Sequence, residues 1–442
     1  MTFSGVGTQR SMGQSGVDAG WRFQSDAVGL LTVYLVLLLA VPSSVRIAVL
    51  GSLGRPSLLW GLILFSVWGL WRIQARSNVL VRVEQPVRLA YFALFVIALV
   101  SFAAALLRGQ PADQVSPAFT SLLRLLSWGG PMLVAMDGIR TLDEVMTMVR
   151  RIAVAGGLLA AFGLLQFGTG QSWLGWLSSV PGLEVEEGGV ALRGAFTRAS
   201  GTSIHPLEHA TALSAALPLA IAMAMHPGRD GARDGYLGWW SAFLITLGSV
   251  LAVSRSAIIG FGVAVIFTLP GLPKRLRALL IGVGVSISAV LVIAQPGLFT
   301  TMITLFAPGG DASTRSRTDA LARVPEFISG SPLYGTGFGT FLPRYYIFDN
   351  AWVLVLVELG ILGVLTFAAL FITAVWSSVR ASLITNDLQL RLTSRAVAAS
   401  VLAIAVVFAF FDGLSFPIAA GLTFLLFGLG SAVRTVALVS RV

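Results

Sequence analysis

Arginines and carboxylates stand in this chain at places where an apolar sequence has little use for charge. Arg198 lies in FTRASGTSIHPLEHA, just ahead of an apolar stretch whose helix is expected to start near Pro206. Gly201, Thr202 and Ser203 allow a tight turn and offer N–H and hydroxyl donors, and helix N-termini with such donors favour anions. Taken alone, Arg198 reads either as an anion ligand or as a loop arginine in solvent. Arg255 interrupts the run LITLGSVLAVSRSAIIGFGVAVIF with a serine on each side. It either snorkels to an interface or belongs to a polar pocket there. Arg124, in SLLRLLSWGG, has the same two readings. His205 is of the type that moves protons near neutral pH, and equally a structural residue ahead of a proline. Glu208 and His209 continue into the apolar run, where ionisable groups face a bundle interior or a cavity.

A second set lies in the polar interval 295–350, which carries four acidic residues and four arginines between two apolar spans. Ordinary connections run to about 4–6 residues, so this interval is more than a connector. Arg315 and Arg317 are candidate anion clamps, with Asp319 as a salt-bridge partner. The run after Arg317 (Ala320, Leu321, Val324, Phe327, Ile328) has the spacing of an amphipathic surface helix ending at Gly330. In SPLYGTGFGTF, Gly335, Gly337 and Gly339 alternate, which permits positive φ and close backbone approach. The pattern lacks the strand–helix context of a nucleotide fold. Asp349-Asn350 precedes a span that includes Glu358. A carboxylate at the lip of an apolar cavity is suited to act as a general base; Asp or Asn there also caps a helix. The two roles are compatible.

The elements that must position these groups are membrane helices. Of 442 residues, 56% are hydrophobic and 11% charged, against about 25% charged in a soluble domain. Spans of ~20 apolar residues are expected near 27–49, 57–73, 89–107, 118–137, 152–168, 208–226, 236–253, 255–270, 278–295, 351–376, 396–412 and 416–434. The expected fold is an all-α polytopic membrane protein of about twelve helices. Residues 1–26 read as a disordered cytoplasmic tail, 27–434 as one transmembrane domain and 435–442 as a second cytoplasmic tail. With the N-terminus inside, most basic residues fall on inner loops and span edges. The long loops 169–207 and 296–350 are then external, and they are expected to form short helices over the bundle's outer face. No cysteine is present and the histidines are three, His205, His209 and His226. Thiol catalysis and disulfides are excluded and a multi-histidine metal site is not expected, although carboxylate-held Mg²⁺ stays open on ligand type. The net charge of +10 belongs to orientation in the membrane and is not a sign of nucleic-acid binding. Lys274 is the only lysine among 30 basic residues, which reflects either a GC-rich genome or arginine forks for a multivalent anion.

Four of these motifs in order resemble the O-antigen ligase and Wzy-type O-antigen polymerase superfamily. They are Arg198-x-x-Gly201 before a helix, Ser254-Arg255 at a helix junction, Arg317-x14-Pro332-Leu-x-Gly-x-Gly-x-Gly-x-Phe341, and Asp349-Asn350-x-x-x-Leu354 with Glu358-Leu-Gly-Ile-Leu-Gly363 downstream. The likeness covers about 190–370 by motif and the rest by span pattern. It implies a C-type glycosyltransferase-like architecture with an outward cavity under a long external loop. It also implies transfer of a glycan from a polyprenyl-diphosphate donor to an acceptor hydroxyl, by inversion, without cofactor or metal. Arg198, Arg255 and Arg317 match the family's motif arginines, which hold the donor diphosphate. With Arg315 and Arg124, read from their own positions, Arg198 and Arg255 form the expected diphosphate set, and Arg317 and Asp349 are the expected catalytic residues. His205, Glu208, His209 and Asn350 would be acid–base or structural. Where many members carry His-Asn, this chain has Asp349-Asn350.

The implied partners are the lipid-linked donor, a saccharide or lipid-glycan acceptor, membrane lipids and polysaccharide-export proteins, with no nucleic acid. The implied site faces outward from the cytoplasmic membrane. A lipid-linked oligosaccharide flippase or other polysaccharide transporter is the alternative; transporters show internal repeats and interrupted helices near mid-membrane.

Overall fold

The computed structural model describes residues 23–74, 84–186, 188, 191–193, 196–225, 232–252, 254–294 and 312–440. Among them run thirteen α-helices: α1 (Phe23–Leu39), α2 (Pro56–Gln74), α3 (Pro86–Leu107), α4 (Ala112–Gly138), α5 (Leu142–Thr169), α6 (Pro206–Met225), α7 (Ala232–Val250), α8 (Arg255–Thr268), α9 (Lys274–Ala294), α10 (Ala312–Ile328), α11 (Ala351–Ile384), α12 (Leu388–Val407) and α13 (Pro417–Val439). Seven of them (α2, α3, α5, α6, α11, α12 and α13) are long and apolar enough to cross a membrane. The chain is a multi-pass helical membrane protein. Helices also stand at the other five expected span positions, with α1 and α8 shorter.

Local chemistry sets where these helices begin. Pro56, Pro86, Pro206 and Pro417 open α2, α3, α6 and α13, where the missing N–H costs nothing. Thr141 and Glu144 form a capping box on α5, so that helix starts ten residues before the expected 152. Asp387 accepts a hydrogen bond from Leu390 N (2.8 Å) and starts α12 before the expected 396. At the C-terminus, α13 continues to Val439, through residues expected as tail. At the other end, α1 begins at Phe23, and residues 1–22 of the expected tail lie outside the described ones.

The bundle closes around α6, which is buried along its whole length and packs against α5, α7, α8, α12 and α13. Its many alanines let those neighbours approach. α13 in turn packs on α4 and α11. Phe371, Phe408, Phe424 and Phe427 fill the space there, Phe371 and Phe427 edge to face at 4.8 Å.

Two expectations fail at the end of the bundle that holds the long loops. The first span does not reach 49: α1 stops at Leu39, ahead of Pro42, and the chain forms β1 (Val45–Ile47). This strand pairs antiparallel with β2 (Leu183–Val185), and β3 (Ala191–Arg193) pairs with β4 (Phe196–Arg198). The described residues of the loop 169–207 thus hold one 3₁₀ turn (Gly175–Ser179), the strand β2 paired with β1 from outside the loop, and the β3–β4 pair, rather than short helices. Ion pairs Arg46–Glu184 (2.8 Å) and Arg55–Glu186 (2.6 Å) tie it to the α1–α2 connection. The other long loop does contain its amphipathic helix. In α10, Ala320 and Val324 are buried against Phe348 and Val357, and Phe327 stacks edge-on against Phe341 at 4.9 Å. Residues 296–311 of that loop lie outside the described ones.

Candidate functional site

The site is organised by a break in α11. Gly360 has φ 70° and ψ −167° inside the helix, nine residues from its start and so about 14 Å along it. Non-helical backbone at membrane depth persists only where protein or a water-filled cavity satisfies it. Here the Gly-rich loop does so. Thr336 N and Gly337 N donate to the freed carbonyls of Val357 and Glu358, each at 2.9 Å. In return, Ile361 N donates to Pro332 O (2.9 Å) and Leu362 N to Leu333 O (3.3 Å). Ser101 Oγ of α3 donates to the carbonyls of Tyr334 (2.5 Å) and Glu358 (3.0 Å). Arg108 donates to Gly335 O at 2.8 Å.

Two glycines make this interlock. A Cβ at Gly335 would lie 2.3 Å from the Glu358 carbonyl carbon, and one at Gly360 would lie 2.4 Å from Leu333. Both residues have positive φ. Gly335→Ala or Gly360→Ala is expected to destabilise the protein by about 2 kcal/mol or more. Gly262→Ala, at a position with open space, serves as control. Thermal unfolding in detergent measures the effect; a Gly335→Ala protein that melts with the wild type would contradict the interlock.

The interlock leaves the Glu358 side chain facing a cavity of about 530 Å³. Its carboxylate accepts from Phe341 N (3.3 Å) and from the Gly339 amide, so it also holds the end of the Gly-rich loop. The same cavity is lined by Arg124 from α4, His205 from the loop before α6, Asp349 and Asp412. The basic groups come from α4 and the loop ahead of α6. The carboxyls come from α11, the residue before its cap, and the α12–α13 connection. Aromatic and aliphatic side chains (Trp128, Phe338, Phe348, Phe416) complete the lining.

The polar groups have distinct states. His205 Nδ1 accepts from Leu207 N (3.1 Å), which leaves its Nε2 as the N–H donor. Burial, with the nearby Arg198 charge adding to it, pulls its pKa down to about 4, so it is neutral at pH 7. Asp412 is pushed up to about 6 by burial; hydrogen bonds from Ser415 and Leu414, and the charge of Arg124, pull the other way. Asp349 is exposed at the mouth.

Of the residues singled out in the sequence, Arg124, His205 and Asp349 meet in this cavity. Arg198 ends β4, half-buried and close enough to influence His205, but does not line the cavity. Arg255 opens α8, which packs on α6 and α12, and does not line it either. Arg315 and Arg317 fall on α10, and their side chains lie outside the described residues. Asn350 is the α11 cap, its Oδ1 accepting from Trp352 N (3.0 Å) and Val353 N (3.2 Å).

Glu208 is a buried clamp. It accepts from Ser43 Oγ (2.9 Å), Ile204 N (3.0 Å) and Ile418 N (2.6 Å), joining three separate segments. His209 is buried against Gly163 and Gly201 and has the surroundings of a packing residue. Asp412 does not stand out in the sequence as a site residue. Its signal is a lone carboxylate between apolar spans, in FAFFDGLSF.

These features define a class: a polytopic membrane protein with a mixed basic and acidic cavity at the end of the bundle that carries its long loops. Residues 240–368 match the family model described as O-antigen ligase. That segment runs from α7 through the break in α11, and it includes Arg255, the Gly-rich loop, Asp349 and Glu358. The resemblance to the O-antigen ligase and Wzy superfamily read from the motifs is upheld there, and it supports a membrane glycan ligase or polymerase in general terms. Comparison with curated proteins returns no match.

Proposed function

We propose that this protein is a glycosyltransferase that moves a glycan from a polyprenyl-diphosphate carrier onto an acceptor hydroxyl, at the outer face of the cytoplasmic membrane. The observation that carries the proposal is the cavity. One set of elements supplies Arg124 and the neutral His205, and another supplies Asp349, Glu358 and Asp412. A transfer from a diphosphate needs these two kinds of group. Cations and N–H donors stabilise the charge that develops on the leaving diphosphate, and a carboxylate receives the proton of the attacking hydroxyl.

The acceptor oxygen bonds to the anomeric carbon while the carbon–oxygen bond to the diphosphate breaks. Its electron pair leaves with polyprenyl diphosphate and the acceptor proton goes to a carboxylate. Direct displacement inverts the anomeric centre. Arg124 binds the diphosphate within the cavity. Arg198, Arg255, Arg315 and Arg317 are proposed to contribute from its surroundings once the donor is bound. Asp349 at the mouth is the first reading for the proton acceptor. The pKa of Asp412, near 6 and so close to the operating pH, favours Asp412 as the second. In this reading both termini are cytoplasmic, loops 169–207 and 296–350 are external, and the fold is of the C-type kind. Saccharide or lipid-glycan acceptors and polysaccharide-export proteins are the partners.

The break in α11 is a feature that transporters share. Four of the backbone groups freed there are satisfied by the Gly-rich loop, so those groups are not left to bind cargo. The test is reconstitution of the purified protein with a lipid-linked saccharide in EDTA. Longer lipid-linked chains are expected of a polymerase, and glycan on a second acceptor of a ligase. Movement across the bilayer without covalent change would favour the transporter. Loss of activity in EDTA with recovery in Mg²⁺ would refute the metal-independent reading. In the same assay Arg255→Lys is expected to slow transfer at unchanged protein abundance, because lysine lacks the planar fork; an unchanged rate would remove Arg255 from the donor site.

A further inference from the structure

A second concavity, of about 490 Å³, lies between α1, α5 and α7. Its walls are apolar for most of their length (Leu35, Val36, Val154, Leu158, Phe162). At one end, Arg150, Arg151 and Arg233 stand together with a single carboxylate, Asp234. Asp234 pairs with Arg150 at 3.1 Å. Arg151 Nη1 donates to the Val28 carbonyl (3.1 Å) and to the Thr32 hydroxyl, which fixes the guanidinium at the head of the groove. Arg233 is exposed at its lip. Among the described lining residues at this end, three cations stand against one anion.

The dimensions point to the occupant. From Arg150 to Phe162 the groove follows twelve residues of α5, about 18 Å. Half of a ~30 Å hydrocarbon layer is about 15 Å, so the groove is one leaflet deep. Its charged end lies at the start of α7, and its apolar end reaches Leu39 and Thr202, near the loops that build the cavity. A donor with its diphosphate in the cavity would sit the other way round.

We propose that this groove is a binding site for an anionic glycerophospholipid of the leaflet opposite the cavity, with its phosphate at Arg151 and Arg233 and one acyl chain along α5. Basic pockets between membrane helices bind anionic headgroups, and the apolar slot adds the chain. The site is separate from the proposed transfer chemistry and stands or falls independently of it.

The test uses the full-length protein in detergent, with phosphatidylglycerol, phosphatidylcholine and glycerol 3-phosphate as probes. Retention is read by native mass spectrometry and stabilisation by thermal unfolding. Phosphatidylglycerol is expected to be retained and to raise the unfolding temperature, while the other two do neither. Arg151→Gln and Arg233→Gln should each weaken retention by about fivefold. Ala155→Phe, which fills the groove and keeps the arginines, should weaken it as well. Equal retention of phosphatidylcholine by the wild type would overturn the proposal. So would an equal shift from glycerol 3-phosphate, which would reveal a free-anion site. Undiminished retention by Ala155→Phe would place the lipid elsewhere and equally overturn it.

Discussion

An Arg124→Lys protein should accumulate in the membrane at the wild-type level and transfer glycan about a hundredfold more slowly. Two physical points set this expectation. Lysine keeps the positive charge near Glu358 and Asp412, so those carboxyls retain a cation and the fold is preserved. It loses the planar fork that meets two phosphate oxygens at once, and removing one preorganised donor from a developing oxyanion costs about 10²–10³ in rate. The effect should fall on the rate with saturating donor, because the charge it answers develops as the bond breaks. Initial rates from proteoliposomes with matched protein content measure it. A rate within about twofold of wild type would take Arg124 out of the donor site.

The second large effect concerns the carboxyls. A general base works only when deprotonated. With Asp412 pushed up to about 6 by burial, transfer that depends on it should rise about tenfold per pH unit below 6 and level off above. Asp412→Asn should remove that limb and lower the plateau rate by about 10²–10⁴, with donor affinity retained. Asp349→Asn is the decisive companion. If the pH limb persists in Asp412→Asn and the loss of rate appears in Asp349→Asn instead, the proton goes to Asp349 at the mouth. Rate profiles of both variants between pH 5 and 8, at saturating donor, separate the two readings.

Much of the fold was legible because lipid imposes simple rules. Apolar stretches located most helices, and a spacing of apolar residues located α10. What escaped depends on tertiary partners. Nothing local tells that the chain after Leu39 will pair with residues 183–185, so the apolar pattern alone extends α1 to 49. Gly360 is visible in the sequence, but its break matters only because Thr336 and Gly337 reach the carbonyls it frees. The candidate site divides the same way. Arg124 and Asp349 were recognisable as charges at the edges of apolar runs, and both line the cavity. Asp412 carries the same signal, but it merged with the end of a span. Arg198 and Arg255 were expected to converge with Asp349, yet neither lines the cavity; a charge's depth in the membrane can be read from sequence, whereas the direction it faces around a helix bundle cannot. Glu208 carries the sequence signal of any ionisable group within an apolar run. Its three donors come from segments far apart in the chain, and only folding brings them together.

The central claim is that glycan transfer and release of polyprenyl diphosphate are one event in the cavity of Arg124 and the three carboxyls. The most direct measurement is the stoichiometry of free polyprenyl diphosphate to new glycosidic bonds in proteoliposomes holding only the protein, a lipid-linked donor and an acceptor. One polyprenyl diphosphate released per bond, with both products suppressed together in Arg124→Lys, is the expected result. Donor that crosses the bilayer intact, with no polyprenyl diphosphate released, would contradict it.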